Sequence, residues 1–170
     1  MFRKRRGTNR VLALIDFENL LTNIDISALI VRLDAALDQI AQEVGEIINV
    51  IVFIPPHLGF WAKEFDQHGF FTILCPKIKT KEIEEKDTVD ETLIKMGESL
   101  TSQIPSLTHI VLGSGDSDYA LFLKEVRRKS KKRVIIASNL GSLSSQLIKL
   151  IDKNPDGKRM LYLLSATEGN

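Results

Sequence analysis

The chain alternates short apolar runs, rich in β-branched residues, with longer segments of helical periodicity. The apolar runs contain few polar positions, which is typical of strands covered on both faces, as in parallel sheets. Regular alternation of such strands with helices predicts one α/β domain, with a parallel sheet of about five strands and helices on both faces. The predicted strands are residues 11–15, 47–54, 70–75, 109–112 and 133–137.

Amphipathic segments fill the intervals between these strands. In the first of them, apolar residues recur every three or four positions, while Asp34, Asp38 and Gln42 occupy the other side. The predicted helices are residues 26–44, 58–68, 89–100, 119–129 and 143–151, and a last edge strand is predicted at 160–164. We therefore expect a single domain over residues 10–164, with flexible ends at 1–9 and 165–170.

Composition narrows the kind of site that this domain can carry. Cys75 is the single cysteine, which excludes an internal disulfide and a multi-cysteine zinc site. The three histidines lack a spacing typical of metal ligands, and the formal net charge of +1 favours no class of partner by itself. No apolar run approaches the roughly 20 residues that cross a bilayer, and one cysteine fits a reducing compartment. We expect a cytoplasmic protein.

Acidic residues follow two of the predicted strands directly. Asp16 closes the first apolar run, and Asp116 and Asp118 come just after the fourth. Open parallel sheets place their sites beyond the carboxyl ends of the strands, so these acids should meet at one edge. Asp90, at the start of a predicted helix, adds a fourth carboxylate, and Asn19 follows Asp16 closely. Crowded oxygen ligands of this kind suit Mg²⁺ or Mn²⁺.

Two of the acids, Asp90 and Asp116, also have a purely structural interpretation. Thr88 and Glu91 have the spacing of a capping box, and Asp90 in the first turn would stabilise the helix dipole. Asp116 could serve only as the N-cap of the helix that follows it. The sequence pattern gives Asp16 no obvious capping role. It is the joint placement of the acids at equivalent strand ends that favours a functional site.

Three sequence blocks around these acids resemble the motifs of a known family. They are residues 11–19, 86–90 and 113–119, and they are similar to the motif blocks of NYN domains, PIN-like nucleases of the group related to LabA proteins. The resemblance implies a Rossmann-like, PIN-like sheet and Mg²⁺- or Mn²⁺-dependent hydrolysis of RNA, single-stranded by preference. The implied catalytic residues are Asp16, Asp90, Asp116, Asp118 and Asn19, and the same four aspartates are the implied metal ligands. A homodimer is compatible with this interpretation.

One position departs from the family pattern. A further acid commonly stands six residues after the helix-start aspartate, and here that place is Met96. We therefore expect one dominant ion, held mainly by Asp16, Asp116 and Asp118. The alternative is a catalytically weak or inactive NYN module that acts in RNA binding or protein assembly. A haloacid-dehalogenase-type phosphatase is less compatible, because it needs an aspartate where this chain has Glu18.

Basic segments supply candidate contacts to nucleic-acid phosphates. The run from 127 to 133 holds six cations in seven residues, yet cations at a helix end also suit the helix dipole. The N-terminal arm leads into the first strand and is the better placed candidate. The predicted RNA-binding residues are Arg3, Lys4, Arg5, Arg6, Arg10 and Lys86.

Overall fold

The computed structural model describes residues 9–22, 24–79, 88–151 and 160–164. Within them lies a six-stranded sheet in the order β3-β2-β1-β4-β5-β6, and every neighbouring pair of strands is parallel. The strands are β1 (Asn9–Asp16), β2 (Gly45–Ile54), β3 (Phe71–Leu74), β4 (His109–Gly113), β5 (Arg133–Ser138) and β6 (Leu161–Leu163). This is the strand order of a Rossmann-like fold.

Six α-helices connect the strands in the described part of the chain. They are α1 (Phe17–Leu20), α2 (Ile26–Glu43), α3 (Ala62–Gln67), α4 (Val89–Gln103), α5 (Ala120–Ser130) and α6 (Ser145–Ile151). The predicted α/β fold is confirmed, as are the five strands and the last edge strand. Two details differ. The helix predicted over 58–68 is a 3-10 helix, Pro56–Trp61, followed by α3, and the short helix α1 was not anticipated.

The core consists of two apolar layers, one on each face of the sheet. Alternate residues of β1 point to opposite faces: Val11, Ala13 and Ile15 pack in the layer under α2 and α3. Leu12 and Leu14 pack in the layer under α4, α5 and α6. Burial on both faces explains why the inner strands contain few polar residues in their central parts.

Some predictions concern residues outside the described ranges. One is RNA binding by Arg3, Lys4, Arg5, Arg6 and Lys86, and the other is the flexibility of residues 1–8 and 165–170. Asn9, assigned to the flexible N-terminal end, is the first residue of β1. No helix in the described ranges combines the length and apolarity needed to cross a membrane.

Candidate metal centre

The two central strands bring the acidic segments to one edge of the sheet. β1 and β4 are parallel neighbours, and Ile15 lies opposite Gly113. Asp16 ends β1, and Asp116 comes three residues after the end of β4. The chain leaves β1 toward the layer of α2 and leaves β4 toward the layer of α5. Diverging connections of this kind open a crevice at the switch point of a parallel sheet, where such folds bind ligands.

Three carboxylates converge at this crevice. Asp90, Asp116 and Asp118 each offer a carboxylate oxygen, and these oxygens lie within 4.8 Å of one another. Opposite ligands of an octahedral Mg²⁺ stand about 4.2 Å apart, so small side-chain movements would let all three bind one ion. The donor set is oxygen alone, which suits Mg²⁺ or Mn²⁺ better than zinc. The residues present therefore fit a divalent cation.

Asp16 reaches this group through a tyrosine hydroxyl. The hydroxyl of Tyr119 lies 2.9 Å from Oδ2 of Asp16 and 2.9 Å from Oδ1 of Asp90. A phenol carries one hydrogen and donates it to one of the two carboxylates at a time, so it cannot satisfy both carboxylates at once. The ion was expected to be held mainly by Asp16, Asp116 and Asp118, whereas the converging group contains Asp90 in the place of Asp16.

The environment of Tyr119 keeps its hydroxyl protonated. Its side chain is completely buried. Burial is the largest cause that raises the pKa of Tyr119 far above its ordinary value, and the negative charges of Asp16 and Asp90 raise it further. Tyr119 therefore remains a hydrogen-bond donor, and its hydroxyl oxygen lies 2.9 Å from a carboxylate oxygen of both Asp16 and Asp90.

The N-cap role predicted for Asp116 is confirmed, the one predicted for Thr88 is not, and Asp16 has a cap role that was not predicted. Asp16, which had no obvious capping role, is the N-cap of α1 and accepts a bond of 3.3 Å from the Asn19 amide. Asp116 caps the 3-10 turn Ser117–Tyr119 and accepts a bond of 2.9 Å from the Asp118 amide. The capping box is wrong: Thr88 makes no side-chain cap bond, and its hydroxyl donates to the Pro76 carbonyl at 2.6 Å.

Asn19 fixes the loop that carries Asp116 and Asp118. Its side-chain oxygen accepts a hydrogen bond of 2.9 Å from the Gly115 amide. The Gly115 carbonyl accepts another, also of 2.9 Å, from the Ser144 amide. Asn19 therefore positions the acidic loop, and its direct part in catalysis stays a prediction.

The basic residue Arg10 does not share this edge. It lies in the second position of β1, six residues before Asp16, which corresponds to about 20 Å along the strand. Its guanidinium donates to the Ser106 hydroxyl. Arg10 belongs to the opposite edge of the sheet, and its contact with RNA stays a prediction.

Met96 points away from the acids. It packs with the apolar layer under α4 and lines a pocket of about 420 Å³ together with Ile51, Phe71 and Ile73. These partners belong to β2 and β3, whereas the acids lie on the β1 and β4 side. The position therefore serves packing, as its helical spacing with Leu93 and Leu100 predicts.

Three residues that shape the site were not selected from the sequence. They are Tyr119, Ser114, whose hydroxyl accepts from the Asp116 amide at 3.2 Å, and Asn139, whose amide donates to the Leu20 carbonyl at 2.8 Å. Ser114 and Asn139 each follow a buried strand directly, as Asp16 does. A polar residue directly after a buried strand is the sequence signal that could have identified Ser114 and Asn139. The signal for Tyr119 is its position directly after Asp116-Ser117-Asp118, where its hydroxyl could reach the acids.

We expect Tyr119→Phe to lower the free energy of unfolding by about 1–2 kcal/mol, since it removes a buried donor that serves two carboxylates. Urea denaturation with EDTA present measures this difference. Tyr162→Phe is the matched control, because the Tyr162 hydroxyl donates to Glu43 at 2.8 Å in an exposed position. Equal losses in the two variants would contradict the bridging role of Tyr119.

Comparison with known proteins gives a family and a fold. The family model described as NYN domain matches residues 10–154. No curated protein matches the chain. A crystal structure of a protein of unknown function from Vibrio parahaemolyticus is similar, with a TM-score of 0.69 and 16% sequence identity. The similarity covers 96% of this chain and 97% of that one, and at this identity it supports the fold alone.

Proposed function

We propose that this chain, which belongs to the NYN domain family, is a metal-dependent ribonuclease. The NYN family is one of PIN-like nucleases, which use divalent metals and act on nucleic acid. The observation that carries the proposal is the group of Asp90, Asp116 and Asp118, with carboxylate oxygens within 4.8 Å of one another. Crowded carboxylates at the switch point of a parallel sheet are suited to a cation and a phosphate-bearing ligand.

In the proposed reaction, Asp90, Asp116 and Asp118 would hold a Mg²⁺ or Mn²⁺ ion, with Asp16 as the fourth acid. When bound, such an ion lowers the pKa of water and offsets the charge of a phosphodiester. The carboxylates orient that centre, and the exposed side chain of Asp118 leaves it open toward solvent. An open position is what an incoming phosphodiester needs.

Two arrangements of this chain keep the carboxylates in place. The Tyr119 hydroxyl lies within hydrogen-bond distance of both Asp16 at the end of β1 and Asp90 in the first turn of α4. The bond from Gly115 to Asn19 links the loop after β4 to α1. Both contacts tie separate segments to one edge, which reduces the reorganisation that metal and substrate would otherwise require.

Met96 favours a second candidate function. Because it packs against β2 and β3, the position that is commonly acidic in the family contributes no carboxylate here. A module with the same acidic pocket could bind RNA, or assemble with a protein, with little cleavage. Metal-dependent cleavage separates the two candidates, because RNA binding is compatible with either of them.

The direct test incubates the purified protein with single-stranded RNA and, in parallel, with single-stranded DNA. We expect cleavage of RNA with Mg²⁺ or Mn²⁺, and its loss when EDTA is in excess over the metal. The product pattern from an end-labelled strand would then distinguish internal from terminal cleavage. RNA binding without metal-dependent cleavage would favour the second candidate function. Cleavage that persists in EDTA would exclude the metal mechanism.

A further inference from the structure

A basic groove lies between α5 and α6. It has a volume of about 330 Å³ and is lined by Lys124, Arg127, Gln146, Lys149 and Leu150. Its three charged residues are all cations. This local charge contrasts with the formal net charge of +1 for the whole chain, so the groove is positive where the protein overall is almost neutral.

Helical spacing places these side chains on facing sides of the two helices. Lys124 and Arg127 are three residues apart on α5, and Gln146 and Lys149 are three apart on α6. The guanidinium of Arg127 donates to the Leu150 carbonyl at 2.6 Å. This bond connects the two helices and fixes a positive charge at the base of the groove.

The groove lysines differ from three neighbouring cations, Arg128, Lys129 and Lys132, which have partners in the protein. Arg128 and Lys129 are ion-paired with Glu125, at 3.0 Å and 2.7 Å. Lys132 donates to the carbonyls of Pro105 and Leu107. Within the described ranges, Lys124 and Lys149 are exposed and neither has an acidic partner within 4.0 Å. Their charge remains available to a ligand.

Helix α5 connects the acidic loop to the groove. α5 begins directly after Tyr119, and Lys124 comes six residues after Asp118, which corresponds to about 9 Å along a helix axis. α6 lies beside the 3-10 turn Ser117–Tyr119 that carries Asp118. The acidic group includes Asp90 at the start of α4, whereas the groove lies between α5 and α6, so a strand bound at the acids would cross the start of α5 to reach the groove.

We propose that this groove holds the phosphodiester backbone of a single-stranded RNA next to the point of cleavage. The inference rests on the proposed function for its substrate. An acidic pocket repels a polyanion, and lysines beside it supply the compensating attraction. Such contacts go to phosphates and are independent of base sequence.

The test measures RNA binding without cleavage. Anisotropy of a fluorescent uridylate oligonucleotide, titrated in EDTA over a range of salt concentrations, gives the dependence of log Kd on log salt. Each phosphate contact in a single strand contributes about 0.7 to that slope. We expect the Lys124→Ala/Lys149→Ala variant to lower the slope by about 1.4, with weaker binding at low salt. Lys124→Arg/Lys149→Arg should restore both.

Arg128→Ala/Lys129→Ala is the matched control, because it removes the same charge from α5 at positions already paired with Glu125. It should leave the slope unchanged. An unaltered slope in the groove variant, an equal decrease in the control, or the absence of salt-dependent binding by the wild type would each overturn the groove assignment.

A parallel cleavage assay with Mn²⁺ separates this inference from the proposed function. Cleavage by the wild type together with an unaltered slope in the groove variant would leave the nuclease proposal standing and reject the groove. The predicted change in slope without any cleavage would keep the groove and reject the nuclease.

Discussion

Replacing Asp116 with asparagine is expected to reduce metal-dependent RNA cleavage by about 100-fold or more. Changing a residue that merely hydrogen-bonds to a metal ligand typically costs about 10- to 100-fold, and the loss of a ligand charge should cost at least the upper value. Asparagine keeps the size of the side chain and keeps an oxygen that can accept from the Asp118 amide. In the wild type, this amide donates to Asp116 Oδ1 at 2.9 Å. Asparagine is also as good an N-cap as aspartate. The substitution therefore isolates the loss of one negative charge.

The same variant should show its effect without any activity measurement. An ion that binds only the folded state stabilises it by RT ln(1 + c/Kd) at a free ion concentration c, so weaker binding in the variant should make the rise in Tm on adding Mn²⁺ smaller than in the wild type. With EDTA, the Tm should stay the same or increase, because repulsion among Asp90, Asp116 and Asp118 is relieved.

Asp38→Asn is the matched control for Asp116→Asn. Asp38 is exposed on α2, in the helical layer on the opposite face of the sheet from α5. The chemical change is the same, and we expect unchanged cleavage and an unchanged response to Mn²⁺. If Asp116→Asn cleaves RNA at the rate of the wild type, the activity does not come from this site.

A second large effect is expected from Gly115→Ala. A methyl group on Gly115 would lie 2.3 Å from the Ser142 carbonyl oxygen and 2.8 Å from the Ser138 hydroxyl. Both distances are below van der Waals contact, and the first involves backbone that cannot rotate away. Relief requires the loop to move, which weakens the bonds from Gly115 to Asn19 and Ser144.

We expect Gly115→Ala to lower the free energy of unfolding by about 1–3 kcal/mol, as overpacking does, and to reduce stabilisation by Mn²⁺ because Asp116 and Asp118 move with the loop. Urea denaturation with and without Mn²⁺ measures both. Gly141→Ala is the control from the neighbouring turn, since nothing lies within 4 Å of a methyl group there. A Gly115→Ala protein as stable as the Gly141→Ala protein would show that the loop adapts freely.

The fold could be predicted because its elements carry local signals. β1 is apolar from Val11 to Ile15 because both faces are buried there, and α2 shows a clear helical stripe, so the type and order of both follow from the sequence. The short helix α1 lacked such a signal. Its four residues are too few for periodicity, and its cap is an acid that also serves the site.

The candidate site could be predicted only in part. Asp16, Asp116 and Asp118 were found because each follows a buried strand, a position that parallel topology brings to one edge. Asp90 was also named from the sequence, but which three of the four acids lie within 4.8 Å of one another could not be predicted, because that depends on how α4 approaches the loop after β4. The prediction of a capping box at Thr88 failed for a similar reason. The Thr88 hydroxyl donates to the Pro76 carbonyl, twelve residues earlier in the chain, and local spacing does not reveal this partner.

The sequence by itself determined the order of strands and helices and the edge of the sheet where the acids meet, because apolar periodicity and strand-end position are local properties of the chain. Only the tertiary structure decided which acids face one another, that Tyr119 joins Asp16 to Asp90, and which lysines remain without an acidic partner in the described ranges. These relations depend on distances of a few ångströms between segments far apart in sequence. Side-chain packing sets such distances, and no local pattern encodes them.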